Sequence, residues 1–166
     1  MLRWLQNYPH FLELAYRFST WTFQRLEPFI QWLGYQRVDR LMRWPEDVFK
    51  SAVFDCRMCG QCILHDTGMT CPMTCPKFIR NGPCGGVRPN GHCEVFPDMR
   101  CVWVDAYQRS LNMPDFGDEM HAVQAPLNHR LEGSSAWINT ITGEDKDFPP
   151  GWIRVSQIPI LGTDRD

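Results

Sequence analysis

The sequence predicts a mainly α-helical fold with irregular loops, in which a small cysteine-rich domain is flanked by an N-terminal helical segment and an extended C-terminal arm. Three observations predict it. All eight cysteines of the 166-residue chain fall between Cys56 and Cys101. The residues before them repeat apolar side chains at helical spacing, and the residues after 110 lose that periodicity and become rich in Gly, Pro, Ser and Asp. The division gives a helical docking segment over 1–50, a cysteine-rich domain over 51–110 and an irregular extended arm over 111–166.

In the first segment, Phe11, Leu14, Phe18 and Trp21 recur at the spacing of one helix face, and Leu12, Ala15, Phe23 and Leu26 broaden it. Pro28 is expected to kink this helix or to restart it, because proline lacks the N–H that the helix interior needs. Phe29, Ile30, Trp32 and Leu33 continue the apolar theme, and Gly34 is a candidate C-cap. A short helical turn is expected over "YQRVDRLMRW". Pro45, followed by Glu46 and Asp47, reads as the start of another helix. Two readings of all this apolar surface stand together: packing on the cysteine module, or a docking face for a partner.

The middle segment offers few aliphatic residues for a core. "TGMTCPMTCP" and "RNGPCGGVRPNGHC" carry the Gly, Pro and Asn-Gly punctuation of tight turns. A domain this small and loop-rich needs a staple or a metal. The thiols run Cys56-x2-Cys59-x2-Cys62-x8-Cys71-x3-Cys75-x8-Cys84-x8-Cys93-x7-Cys101. Eight thiolates complete two four-ligand sites with none left over. A C-x2-C-x2-C triple is the recurrent way of presenting three thiolates to a [4Fe–4S] cluster, and a Cys-Pro supplies the remote ligand in two-cluster ferredoxins. Two [4Fe–4S] clusters are therefore expected, which makes residues 51–110 a cluster-stapled domain. Cys56, Cys59 and Cys62 share one cluster in this reading, and Cys71 or Cys75, each followed by Pro, crosses to the other. Nearby glycines (60, 82, 85 and 86) let backbone N–H groups approach the sulfurs. Two tetrahedral zinc ions would use the same eight ligands. His65 and His92 lie inside the module, and His10, His121 and His129 outside it. With the thiol count already complete, each histidine reads as a surface or hydrogen-bonding residue.

The third segment opens with "CVWVDAYQRSLNM", a strand or a short helix. Near its end "WIRVSQIPIL" is partly strand-like. The arm is expected to lie across a partner or across its own module, with a loose tail as the other possibility.

Composition narrows the function. A net charge of -2 exerts no general pull on nucleic acid, while 13% aromatic residues suit a partner protein. No Walker loop, dinucleotide fingerprint or nucleophilic triad appears, so no catalytic residue is expected in this chain. Charges interrupt every apolar run, so no membrane association is expected, and with no export signal in view a cytoplasmic location is. Thiols stay reduced there, which disfavours disulfides.

The string "CRMCGQCILHDTGMTCPMTCPKFIRNGPCGGVRPNGHCEVFPDMRCVWVDAYQRS", above all "CPKFIRNGPCGG", resembles the cysteine-rich C-terminal-type domain, or separate small subunit, associated with methylenetetrahydrofolate reductase. The resemblance covers about residues 50–110. It implies a hetero-oligomer with a (β/α)8-barrel flavoprotein catalytic subunit that carries FMN or FAD, this chain carrying none. It implies an accessory iron–sulfur subunit that stabilises the flavoprotein and relays electrons to or from its flavin. A zinc-stapled interaction module without a redox role is the alternative. Lys77, Arg80 and Arg88 are candidates to balance anionic clusters or to meet an acidic partner face.

Overall fold

A computed structural model of the chain describes residues 2–147 and residue 151. A 3-10 turn (Arg3–Asn7) leads into α1 (Pro9–Leu33), and Gly34 separates α1 from α2 (Tyr35–Phe54). The cysteine-rich loops follow, α3 (Val102–Ser110) closes them, and α4 (Ala136–Thr142) returns to the long helices. Among the described residues there is no β-strand, only an isolated antiparallel bridge between His92 and Arg100. The chain is thus mainly α-helical with irregular loops, as the sequence predicts.

Neither proline ends a helix. α1 runs through Pro28 and α2 runs through Pro45, with neither a restart at Pro28 nor a new helix beginning at Pro45. Both prolines lie on exposed faces, where water can take up the carbonyl that each leaves unbonded. The break falls instead at Gly34, whose φ of +87° is open to glycine and strained for other residues. "CVWVDAYQRS" resolves as helix, with the Cys101 carbonyl accepting from Val104 and Asp105 N–H (3.1 Å each) at its start.

The main core gathers Leu12, Val53, Phe54, Leu64, Met69, Cys71, Met73 and Met113. Fully burying one such side chain contributes about 1.5–3 kcal/mol. A second core forms where α1, α2 and α4 meet, on Ile30, Val38 and Ile138. The cores take only the edge of the α1 face that the periodicity picks out: Leu12 enters the main core and Phe23 packs against the second. Phe11, Leu14, Phe18 and Trp21 are exposed, as are Phe29 and Trp32 further along, whereas Leu12 and the carboxylate of Glu13 are buried. Glu13 accepts from the N–H groups of Asp115 (2.8 Å) and Phe116 (2.7 Å), so α1 holds the loop that follows α3.

Residues 111–147 form short 3-10 turns and α4, and they bond back onto the cysteine loops and α2. Ser135 N–H donates to Asp39 (2.8 Å), and Trp137 packs on Phe23. The "WIRVSQIPIL" stretch, residues 152–161, lies outside the described residues. Among the described residues no helix is long and apolar enough to cross a membrane.

Candidate metal centre

All eight cysteines are free thiols, and the fold sorts them into two quartets. Cys56, Cys59, Cys62 and Cys71 line one small cavity. Cys75, Cys84, Cys93 and Cys101 line a second. The division is sequential, the first four and then the last four. The expected sharing among Cys56, Cys59 and Cys62 holds as proximity. Cys71 lines the first cavity with the triple and Cys75 lines the second, with the 3-10 turn Pro72–Thr74 between them. Pro72 and Pro76, each following a cysteine, fix the chain direction at the divide.

The first quartet is built by three pieces of chain. α2 ends in the left-handed Asp55 and delivers Cys56. The loop then turns at Met58, which has a positive φ of 47° and donates its N–H to Cys56 Sγ (3.3 Å). The segment after residue 127 holds this loop from outside. Gly133 N–H donates to Met58 O (2.8 Å), Asn139 Nδ2 to Gly60 O (2.8 Å), and Gln61 bridges to Asn128 N–H and Asp145 O. Gly60 packs so closely on Leu131 that a Cβ would come within 2.1 Å of its carbonyl oxygen.

Two buried cations flank this quartet. Lys50, on α2, bonds to Glu46, whose other oxygen accepts from Ser135 Oγ, and its ammonium stands 4.9 Å from the centre of the Trp137 ring. Burial alone would lower the Lys50 pKa, but Cys62 and Glu46 outweigh it and hold the ammonium charged. Arg80 reaches Cys59 Sγ at 3.9 Å and Gln61 O at 3.2 Å, while its buried Nε has no partner among the described residues. An orphaned buried donor beside a thiol fits an anionic occupant in the cavity.

Burial pushes the Cys56 thiol up to about 11 and Cys71 up to about 12, and it raises Cys59 as well, the neighbouring sulfurs adding to the effect. Cys56, Cys59 and Cys71 so placed stay protonated at neutral pH unless a cation replaces their protons, as metal binding does. Four thiolates around one cavity suit either a tetrahedral zinc ion or one cubane cluster.

The second quartet is nearer the surface. Cys84 is exposed, Gly86 N–H donates to its Sγ (3.4 Å), and the Lys77–Glu94 ion pair lies alongside. Of the three basic residues singled out from the sequence, Arg80 reaches the first quartet and Lys77 flanks the second, whereas Arg88 lines neither cavity. His65 joins no quartet. It bonds Glu119 (2.7 Å) and Asp66 (3.3 Å) under the rings of Tyr16 and Phe116. His92 is held by Asn90. Lys50 and Glu46 carry no local signal in the sequence beyond an i, i+4 spacing six residues ahead of the first thiol.

Residues 35–130 match the family described as "Methylene-tetrahydrofolate reductase C terminal". The chain belongs to this family. The reductase C-terminal match runs from the first residue of α2 past α3 and takes in both quartets together with Lys50 and Arg80. It is wider than the stretch in which the resemblance was legible, and it leaves α1 and α4 outside. No curated protein and no solved structure matches the chain.

Proposed function

We propose that this chain is an accessory subunit of a heteromeric methylenetetrahydrofolate reductase, and that each thiol quartet holds one [4Fe–4S] cluster. The observation that carries the cluster reading is the four-and-four division of the thiols, with the C-x2-C-x2-C triple of Cys56, Cys59 and Cys62 inside the first quartet. When bound, such clusters supply one-electron transfer, which a flavin on the catalytic chain can accept or deliver. In the first quartet, Lys50 and Arg80 offset the negative charge that four thiolates bring into a buried site, and Met58 N–H orients Cys56. In the second, Gly86 N–H serves Cys84. Cys71 and Cys75 are four residues apart, so their Cα atoms are within about 14 Å even for an extended chain, and the intervening 3-10 turn shortens that span. The two quartets are therefore neighbours, as an electron relay requires.

The partner is a flavoprotein that carries FMN or FAD and performs the folate chemistry. The family name points to an enzyme of which this region is only the C-terminal part. The exposed aromatic face of α1 is large enough to mark a protein contact.

Anaerobic purification followed by metal and sulfide counting tests the cluster reading. About eight iron and eight sulfide per chain are expected for two cubanes. About two zinc and no sulfide would replace it with a zinc-stapled module that has no redox role. Retention of a flavin-bearing reductase chain during the same purification tests the partner.

A further inference from the structure

Between the 3-10 turn at the N-terminus, the cysteine loops and α3 runs a groove of about 710 Å³. That volume is within the range of sites that take small molecules, and the concave shape sets it apart from a flat protein contact. Its floor includes Cys71 and Cys75, one thiol from each quartet. Four arginines line it, Arg3, Arg57, Arg100 and Arg109, against two aspartates, Asp55 and Asp105.

The aspartates engage three of those arginines. Asp55 pairs with Arg3 (2.7 Å) and Arg57 (3.6 Å), and Asp105 with Arg100 (2.8 Å). Arg109 instead bonds neutral groups, Gln6 Oε1 (2.6 Å) and Thr70 Oγ1 (2.7 Å), both through Nη1. The rest of its guanidinium fork is left for a ligand, and such a fork matches a phosphate. Because Lys50 and Arg80 already serve the first quartet, the groove arginines are not needed there. Two exposed rings, Phe78 and Phe96, also line the groove. Phe78 is held at a φ of +52°, a conformation that costs energy for any residue with a Cβ, and its ring is 62% exposed there.

We infer that this groove binds a phosphate-bearing ligand with a flat ring, a mononucleotide, with the phosphate on Arg109 and its neighbouring arginines and the ring on Phe78 and Phe96. A ligand so seated lies against one thiol of each quartet. The arginines and rings that would hold the ligand belong to neither quartet, so metal content and ligand binding are measured on one preparation and either can fail alone.

The experiment is calorimetric titration of the purified full chain with FMN and with AMP, each against its phosphate-free form, riboflavin or adenosine, and against inorganic phosphate. Saturable one-site binding of one mononucleotide is expected, at least about tenfold tighter than its phosphate-free form and than phosphate alone. Phe78→Asn removes the ring while suiting the left-handed backbone, and it should weaken binding about tenfold. Arg109→Gln should do the same. Arg57→Ala, at an exposed position, serves if Arg109→Gln fails to fold. Absence of saturable binding by both mononucleotides, equal binding of the phosphate-free forms, or indifference to all the substitutions would overturn the assignment.

Discussion

Lys50 and Glu46 lie one helical turn apart on α2, both buried, and together they face the first thiol quartet. Neither charge is tolerable there alone. Lys50→Met leaves the Glu46 carboxylate with Ser135 as its remaining partner, and the expected loss is about 3–5 kcal/mol in urea denaturation of the metal-free chain. The double variant Glu46→Gln, Lys50→Met should recover most of it, because an uncharged pair of similar volume carries little desolvation cost. In the metal-loaded chain the double variant should bind less metal at the first quartet, having lost a compensating cation. Full occupancy there would assign Lys50 to the fold alone. At the same scale, His65 is tied to Asp66 and Glu119, and these carboxylates outweigh the burial that would otherwise lower its pKa. Its raised pKa adds stability that is complete below the ordinary histidine value and drains away as pH rises through the folded-state value.

At the scale of elements, two close approaches lock the cysteine loops in place. Gly68 has φ +58°, and a Cβ there would sit 2.1 Å from Ala106 O on α3. Gly68→Ala combines backbone strain with a clash against a helix that cannot shift without dragging Cys101, and a loss of at least about 2 kcal/mol is expected. Gly91→Ala is the control. Its φ is +80° but nothing lies within 4 Å, so it should cost only about 1 kcal/mol. Thermal melts followed by circular dichroism compare the two, and similar losses would remove the close approach as the cause. These approaches also mark where the sequence stops being legible. Apolar periodicity finds α1 and, in Leu12 and Phe23, the edge of its buried face, but period alone cannot tell a core from a docking surface. The polar Glu13 is buried because it satisfies two backbone N–H groups 102 and 103 residues away. Eight thiols imply two quartets, but which four line each cavity depends on how the chain folds around the turn between Cys71 and Cys75, and spacing alone does not show that. Pro45 reads as a helix start because proline rules consider the helix alone and not the solvent on that side.

At the scale of the whole molecule, burial is uneven. The cysteine loops, α3 and the segment over 111–147 enclose one another, while α1 and the first half of α2 leave an apolar face outside. Phe18 is 68% exposed, Trp32 77% and Trp44 74%, values that a folded monomer does not gain by keeping so many large rings in one region. Because these rings contact neither quartet, their removal should separate assembly from metal binding. The variant Phe18→Glu, Trp32→Glu is expected to keep its helical circular dichroism and its metal content. It should lose the flavoprotein at the affinity step, since charges at the centre of an aromatic interface cost several kcal/mol. If the proposed flavoprotein partner still co-purifies at full stoichiometry, α1 is not the dock, and the contact falls on another exposed apolar group, such as Phe78, Val95 and Phe96 of the cysteine loops or Tyr107 and Leu111 at the end of α3.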